Sequence, residues 1–315
     1  MLDYSIFYRR PIGTDRIAQE LPKFDIFASA FNSSERVGRV FNEVRAHKKI
    51  WHIHPEYKYA PLDEPVGFIK AQPSAIDEVA QVNALLAAMG DLSGKSLCID
   101  ITGFMRHVLT FLVAKIAYMG ISEFTALYSE PMHYSKQEDT IFSTTTSGVP
   151  RPVKGMAGSN SSLGTDYLII GAGYDHKLIS EVTNQKDITV YPLFAFPSLS
   201  PDFYQQSAIR ASESGAVALE PAWIVNRRFA PANDPFSTAS ILHDIVNEID
   251  RKNVHANIYL SPLSTKVQAL GFALYWQLEG KTRGAVTMLL PECLSYSRET
   301  SSGLKRLWTY TIELS

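Results

Sequence analysis

Two segments of the chain combine the residue types of an anion-binding turn. In the first, Asp100 ends an apolar run, and Thr102, Gly103 and Arg106 follow it closely. A strand that turns directly into a helix leaves N–H groups unpaired at the start of that helix, and these groups favour anions. The carboxylate can orient a ribose hydroxyl, the glycine permits close approach, and the arginine can bind phosphate through two N–H groups. The segment therefore predicts a phosphate-binding joint; the alternative is that Asp100 satisfies turn amides and Arg106 is solvated.

The second segment repeats this order of features. After the strand-like segment 257–260, the hydroxyl residues Ser261, Ser264 and Thr265 precede Lys266. Hydroxyls and a lysine at the start of a helix suit phosphate oxygens. Because the GxxxxGK spacing is absent, this is not a Walker A loop. It predicts a second phosphate-binding joint, with a plain helix cap and an exposed lysine as the alternative.

Other candidate ligand residues lie in turns elsewhere in the sequence: Gly171, Gly173, Ser33, Asp234 and Arg298. The two glycines form half of a dinucleotide fingerprint, but the third glycine is missing, so we expect a ligand-facing or simple tight turn and no NAD or FAD. Asp234 precedes a proline, which predicts first a helix cap and second a polar ligand contact. Arg298 predicts either a structural ion pair or a phosphate contact. No cofactor is expected.

Neither a metal site nor a catalytic triad is predicted. His52 and His54, with Glu56 nearby, could ligate a metal, but no third partner is identifiable. No Ser-His-Asp order, nucleophile elbow or glycosidase carboxylate pair stands out. An enzyme is therefore the second hypothesis, a nucleotide or sugar-phosphate hydrolase or transferase with Asp100, His52 or Asp234 as acid or base.

The elements that must position these residues alternate between apolar strands and helices. This pattern predicts an α/β fold whose mostly parallel, doubly wound sheet is covered by helices on both faces. Helices are predicted over 73–90, 102–119 and 265–278, among others, from apolar residues at helical spacing.

The pattern occurs twice, which predicts tandem Rossmann-like halves related by internal duplication. Arg106 lies 160 residues before Lys266, and Tyr134 lies 162 residues before Tyr296. The segment 144–165 is rich in Gly, Ser, Thr and Pro, which is typical of a linker. We therefore expect a first half at 1–143, a linker at 144–165 and a second half at 166–315.

Composition excludes several classes of protein. The 315 residues carry a net charge of −2 with a pI near 6.5, which argues against bulk nucleic-acid binding. No apolar run is long enough to span a membrane and no secretory signal is visible. The two cysteines, Cys98 and Cys293, are not in a CxxC pair. These features predict a cytoplasmic protein that binds no membrane.

The Asp-x-Thr-Gly segment with its basic residue (100–106) and its Ser-Thr-Lys counterpart (264–266) resemble the ligand-binding joint of CARF domains. A single chain with two such halves resembles the related SAVED domain. The resemblance implies a Rossmann-like sensor of cyclic oligonucleotides in antiviral defence, with the ligand in a pseudo-two-fold cleft that Arg106 and Lys266 would both face. It also implies that an effector or partner protein carries the output.

Overall fold

The structure is a computed structural model that describes residues 2–134, 143–173, 176–183, 188–199, 209, 221–253, 255–298 and 301–314. These residues form a seven-stranded and a six-stranded sheet, and the predicted α/β fold with mostly parallel sheets is confirmed. The strands are β1 (Arg9–Ile12), β2 (Phe24–Ala30), β3 (Ala46–His52), β4 (Ile69–Ala71), β5 (Leu97–Asp100), β6 (Glu123–Tyr134), β7 (Ser143–Pro152), β8 (Thr165–Ala172), β9 (Thr189–Ala195), β10 (Arg228–Ala230), β11 (Ala256–Pro262), β12 (Val286–Tyr296) and β13 (Ser301–Glu313).

Helices connect most successive strands. They are α1 (Ile17–Glu20), α2 (Glu35–Glu43), α3 (Glu78–Met89), α4 (Arg106–Tyr118), α5 (His176–Thr183), α6 (Pro221–Val225), α7 (Pro235–Lys252), α8 (Lys266–Tyr275) and α9 (Lys281–Arg283). Short 3-10 turns cover Tyr4–Ile6, Pro55–Tyr57 and Pro61–Asp63, and a π-helical turn covers Trp276–Gly280.

The two sheets share one strand order. The seven-stranded sheet runs β1-β13-β6-β5-β2-β3-β4, and the six-stranded sheet runs β10-β9-β8-β11-β12-β7. In the first, β6 to β4 are parallel and β13 is antiparallel to both β1 and β6. In the second, β10 to β12 are parallel. The series β6-β5-β2-β3-β4 therefore matches β12-β11-β8-β9-β10, which supports the predicted duplication.

The parallel strands are buried because helices cover both faces of each sheet. All four residues of β5 are buried, as are six of the seven residues of β2. In the seven-stranded sheet, Phe41 of α2 stacks on Trp51 of β3 with ring centroids 3.6 Å apart. Such continuous apolar strands are what the sequence pattern predicted.

The chain folds as two compact units whose boundaries differ from the predicted halves. The seven-stranded unit contains residues 7–145 and 294–315, and the six-stranded unit contains residues 1–6 and 146–293. The C-terminal strand β13 belongs to the first half because its whole length pairs with β6. The first residues belong to the six-stranded unit, where the Tyr4 hydroxyl donates a hydrogen bond to Glu279 at 2.8 Å.

The predicted linker at 144–165 is also wrong in part. Its first residues lie in β7, which neighbours β12 at the edge of the six-stranded sheet. The strand β7 follows β6 in the chain but belongs to the six-stranded sheet. In the same way, β13 follows β12 but belongs to the seven-stranded sheet. A composition rich in Gly, Ser and Pro did not reveal this strand, because strand pairing depends on a partner far away in sequence.

Candidate functional site

Each unit has one topological switch point, and both predicted joints lie there. In the seven-stranded sheet, the chain leaves β2 through α2 towards β3, but leaves the neighbouring β5 through α4 towards β6, on the opposite side. In the six-stranded sheet, β8 and β11 diverge in the same way. Open α/β sheets bind ligands in the crevice outside the carboxyl ends of such strands.

Asp100 closes the turn at the first switch point. It is fully buried, and its Oδ2 accepts a hydrogen bond from the Ser29 hydroxyl at 3.0 Å. Its Oδ1 accepts one from the Thr102 amide, also at 3.0 Å. Burial raises the pKa of Asp100, while the hydrogen bonds from Thr102 and Ser29 and the charge of Arg36 act in the opposite direction. Of its two predicted roles, the structure shows the capping of turn amides.

Thr102 and Gly103 fix the same turn. The Thr102 hydroxyl accepts a hydrogen bond from the Ser129 amide at 3.0 Å. A Cβ atom on Gly103 would lie 2.2 Å from the carbonyl oxygen of Ala30, so only glycine fits where the loop crosses the end of β2. Arg106 is half-buried and is the first residue of α4. The joint is therefore a tightly packed turn that leads into a helix headed by a cation.

A concave surface of the seven-stranded unit lies where β2 ends, one residue beyond the Ala30 carbonyl that Gly103 approaches. A pocket of about 650 Å³ is lined by Phe31, Ser33, Tyr59, Asp63, Ser297 and Arg298. Phe31 and Ser33 directly follow β2, so the pocket lies at the carboxyl-terminal edge of the sheet. Two predicted ligand residues, Ser33 and Arg298, are thus on one wall.

Arg298 organises this pocket. Its guanidinium carbon lies 4.6 Å from the centre of the Tyr59 ring, and its Nε donates to the Tyr57 carbonyl at 2.9 Å. A second contact joins it to the Lys58 carbonyl, and a 3.4 Å contact joins it to Asp63. The Arg298 carbonyl accepts a hydrogen bond from the Ser33 hydroxyl at 3.1 Å. The guanidinium is therefore stacked and oriented, while 41% of the side chain stays exposed.

The start of α2 lies next to the same wall. The Ser34 hydroxyl and the Nε atom of Arg36 are buried and have no hydrogen-bond partner among the described residues. Arg36 is otherwise bound, since it donates to the Ser129 carbonyl and, at 3.0 Å, to the Ser301 hydroxyl. A buried cation beside an unused hydroxyl makes the start of this helix electrostatically suited to an anion.

A buried polar network supports the other side of the joint. Gln81 of α3 contacts His52 at 3.1 Å, His54 at 2.6 Å and Glu56 at 2.9 Å. His54 also accepts the amide of Met105, the residue just before α4, at 3.2 Å. The histidine pair is therefore part of an internal hydrogen-bond network. In the part of the chain that the structure describes, no group of three or more His, Cys, Asp or Glu side chains is arranged to hold a metal ion.

The joint of the six-stranded unit is built the same way. A Cβ on Gly173 would lie 2.3 Å from the Leu263 carbonyl oxygen, and one on Gly171 would lie 3.1 Å from the Ser264 hydroxyl. Both glycines therefore serve close packing. Lys266 is half-buried and begins α8.

The hydroxyl residues of this joint divide between two roles. Thr265 caps α8 by accepting the Gln268 amide at 3.1 Å, and Ser264 donates to the Gln268 side chain. The Ser261 hydroxyl is buried and has no hydrogen-bond partner within the described ranges. Thr265 thus matches the plain-cap alternative, while Ser261 is fully buried and does not reach the surface of the joint.

Asp234 has the role that was predicted first. Its Oδ1 accepts the amides of Phe236 and Ser237 at 3.0 and 3.1 Å, which caps α7. The three acid–base candidates of the enzyme hypothesis therefore all serve internal contacts: Asp100 and Asp234 cap backbone amides, and His52 is fully buried against Gln81.

The structure adds three residues that were not among the predicted ligand residues. Phe31 and Tyr59 line the pocket, and Arg36 carries a buried charge beside it. Tyr59 lies in a Pro- and Tyr-rich stretch whose local sequence suits either loop packing or stacking on a base. The position of Arg36 at the first turn of a helix after Asn-Ser-Ser was the available signal for the third.

Comparison with models of known protein families and with curated protein sequences gave no match. Among the described residues, no helix combines the length and apolarity needed to cross a membrane. The class of protein that the fold and site define is thus an α/β protein with two Rossmann-like, doubly wound sheets and, in the seven-stranded unit, a polar pocket at the carboxyl-terminal edge of the sheet.

Proposed function

We propose that the chain is a binding protein for a phosphate-bearing nucleotide, which it holds at the carboxyl-terminal edge of the seven-stranded sheet. One observation carries the proposal. Ser33 and Arg298 are 265 residues apart in sequence, yet they are hydrogen-bonded on one wall of a pocket of about 650 Å³. Binding pockets for small molecules typically measure about 300–1,000 Å³.

The pocket offers the groups that a nucleotide needs. Phe31 and Tyr59 present aromatic rings whose centroids are 5.0 Å apart, and such surfaces stack on bases. The exposed part of the Arg298 guanidinium supplies N–H donors in the planar geometry that matches phosphate. Because three of its contacts hold it in place, little side-chain entropy remains to be lost on binding.

The two switch-point joints add one further candidate anion-binding element in each unit. Arg106 and Lys266 are both half-buried, and each is the first residue of the helix that follows a switch-point strand. The resemblance of these joints to CARF and SAVED domains leads us to propose a cyclic oligonucleotide as the ligand class. It also places the protein, within this proposal, in antiviral defence, with a partner protein that responds to the bound state.

The test is a binding titration of the purified chain by calorimetry against AMP, GMP, and cyclic di- and triadenylate, at a fixed salt concentration. We expect one of these ligands to bind, and Arg298→Ala to weaken it by about tenfold. A hydrogen bond to a charged group contributes about 1.5–3 kcal/mol, and the partial exposure of Arg298 favours the lower end. Arg251→Ala, which removes an exposed arginine of α7, is the matched control.

Arg106→Ala and Lys266→Ala extend the titration to the two joints, and thermal unfolding verifies that each variant is folded. If no nucleotide in the panel binds, the proposed function is refuted. Equal affinities for wild type, Arg298→Ala and Arg251→Ala would show that the nucleotide does not bind in this pocket.

A further inference from the structure

A cluster of buried polar side chains lies under the start of α4 and is not used by the proposed pocket. His52, His54 and Gln81 are fully buried, Glu56 is 1% exposed and His107 is 8% exposed. Burying this many polar groups is costly unless each one is hydrogen-bonded in a defined way. The hydrogen-bond pattern therefore fixes where the protons of the cluster are.

The orientation of Gln81 sets the protons on both histidines. Its Nε2 lies 2.8 Å from the Ile76 carbonyl, which can only accept, and 2.9 Å from Glu56 Oε1. The amide oxygen therefore faces the two imidazoles, and both must donate to it, His52 through Nε2–H and His54 through Nδ1–H. The second nitrogen of each ring then carries a lone pair.

The lone pair of His54 has a specific partner. Its Nε2 accepts the backbone N–H of Met105 at 3.2 Å. Met105 is the N-cap of α4, and its thioether is at best a weak hydrogen-bond acceptor, unlike a capping hydroxyl or carboxylate. At the equivalent place in the six-stranded unit, α8 is capped by the hydroxyl of Thr265, which does not titrate near neutral pH.

The two duplicated helix starts therefore differ in their response to protons. A proton added to Nε2 of His54 would place one N–H group against another, the N–H of Met105. Because His54 is fully buried, the ring has no water to turn towards, and the backbone of the turn has to move.

We propose that His54 is a proton-dependent positioning residue, whose neutral imidazole holds the Thr102–Arg106 turn and whose protonation releases it. The release itself does not depend on a ligand. Its consequence, acid-regulated access to the anion-binding start of α4, rests on the proposed function.

Several titratable groups surround His54, and they come from different elements. His52 lies on β3, with its ring centroid 4.4 Å from that of His54. The 3-10 turn contributes Glu56, whose Oε2 is 3.9 Å from His54 Nδ1, and Tyr57, whose ring centroid is 6.2 Å away. Glu56 Oε2 is buried and unpartnered among the described atoms, so it favours a positive charge on the ring.

The helices contribute two further groups. His107 of α4 contacts Glu56 Oε1 at 3.3 Å and competes for its negative charge. Glu78 of α3 is fully buried one turn before Gln81, on the same side of the helix. Burial lowers the pKa of the neighbouring His52 to about 4, so His52 stays neutral at pH values where an unperturbed imidazole is protonated. An unperturbed imidazole takes up a proton at about pH 6.5, so a fall in pH below neutrality is the signal that would protonate His54.

The test is amide hydrogen exchange without ligand, between pH 7.5 and 4.5, with intrinsic rates corrected for pH. We expect protection of the Met105 amide to fall by at least about tenfold as the pH is lowered, a local opening rather than global unfolding. The internal control is the Gln268 amide at the start of α8, bound to Thr265, whose protection should stay constant. His54→Gln places a non-titrating oxygen near Met105 and should abolish the pH dependence; His47→Gln, an exposed histidine of β3, should retain it.

Three results would overturn the proposal: constant Met105 protection in the wild type, equal loss at Met105 and Gln268, or an unchanged pH dependence in His54→Gln. A nucleotide titration at pH 7.5 and 5 separates this proposal from the proposed function. Absence of binding at both pH values refutes nucleotide binding, while the exchange data still decide the role of His54. Binding that is equal at both pH values, with release observed by exchange, refutes only the regulation.

Discussion

Gly103→Ala tests whether the switch point of the seven-stranded sheet is as tightly closed as the geometry indicates. The added carbon would lie 2.2 Å from the Ala30 carbonyl oxygen and 3.2 Å from its Cβ. Non-bonded heavy atoms come into contact at about 3.5 Å, so the loop and the strand would have to separate by about 1 Å. Ala30 is fully buried, and its carbonyl oxygen is part of the backbone, so it cannot rotate away as a flexible side chain would.

Overpacking of this kind typically costs about 1–3 kcal/mol, and a backbone obstacle favours the upper end. We expect Gly103→Ala to lower the free energy of unfolding by about 2–3 kcal/mol, measured by urea denaturation with circular dichroism and fluorescence. Gly38→Ala is the matched control, because nothing lies within 4 Å of its new carbon. Its position inside α2 predicts stabilisation by about 0.5–1 kcal/mol. If Gly103→Ala were as stable as the wild type, the close approach of the Gly103 loop to the end of β2 would be wrong.

Two further predictions concern buried polar groups. Burial lowers the pKa of His52 from 6.5 to about 4, so between these pH values the unfolded chain binds a proton that the folded chain does not. This contribution to stability is complete above pH 6.5 and falls, by about 3 kcal/mol in total, as the pH drops towards 4. Urea titrations over this range should give a steeper pH dependence for the wild type than for His52→Gln, and equal slopes would contradict the assignment. Ser29→Ala removes the 3.0 Å donor to the buried Asp100 and should cost about 1–3 kcal/mol, whereas the exposed Ser74→Ala should change stability little; equal stabilities of the two variants would show that this hydrogen bond contributes nothing.

Local signals in the sequence predicted the helix starts that depend on neighbours in sequence. A cap was the first prediction for Asp234 and the alternative for Thr265, and both residues accept amides two or three residues further on, at the starts of α7 and α8. The start of α4 was predicted at Thr102 but lies at Arg106. The difference arises because the intervening turn packs against β2 and hydrogen-bonds to His54, both far away in sequence.

The candidate pocket also depends on contacts that local sequence does not predict. Ser33 and Arg298 were each singled out from their local context, but nothing local indicated that they would meet. Tyr59 and Phe31 became candidate ligand contacts only once the structure placed Arg298 above the Tyr59 ring, in the same pocket. Pairwise contacts between distant segments depend on strand order, which the residues of one segment do not encode by themselves.

The sequence by itself determined the alternation of apolar strands and helices, its repetition, and the caps, because these depend on periodicity and on hydrogen bonds within one turn. Tertiary structure alone decided that β7 is a strand, that β13 pairs with β6, and that Gly103 must lack a side chain. Each of these depends on a partner brought close by folding, and the free energy of such a contact belongs to the pair rather than to either segment.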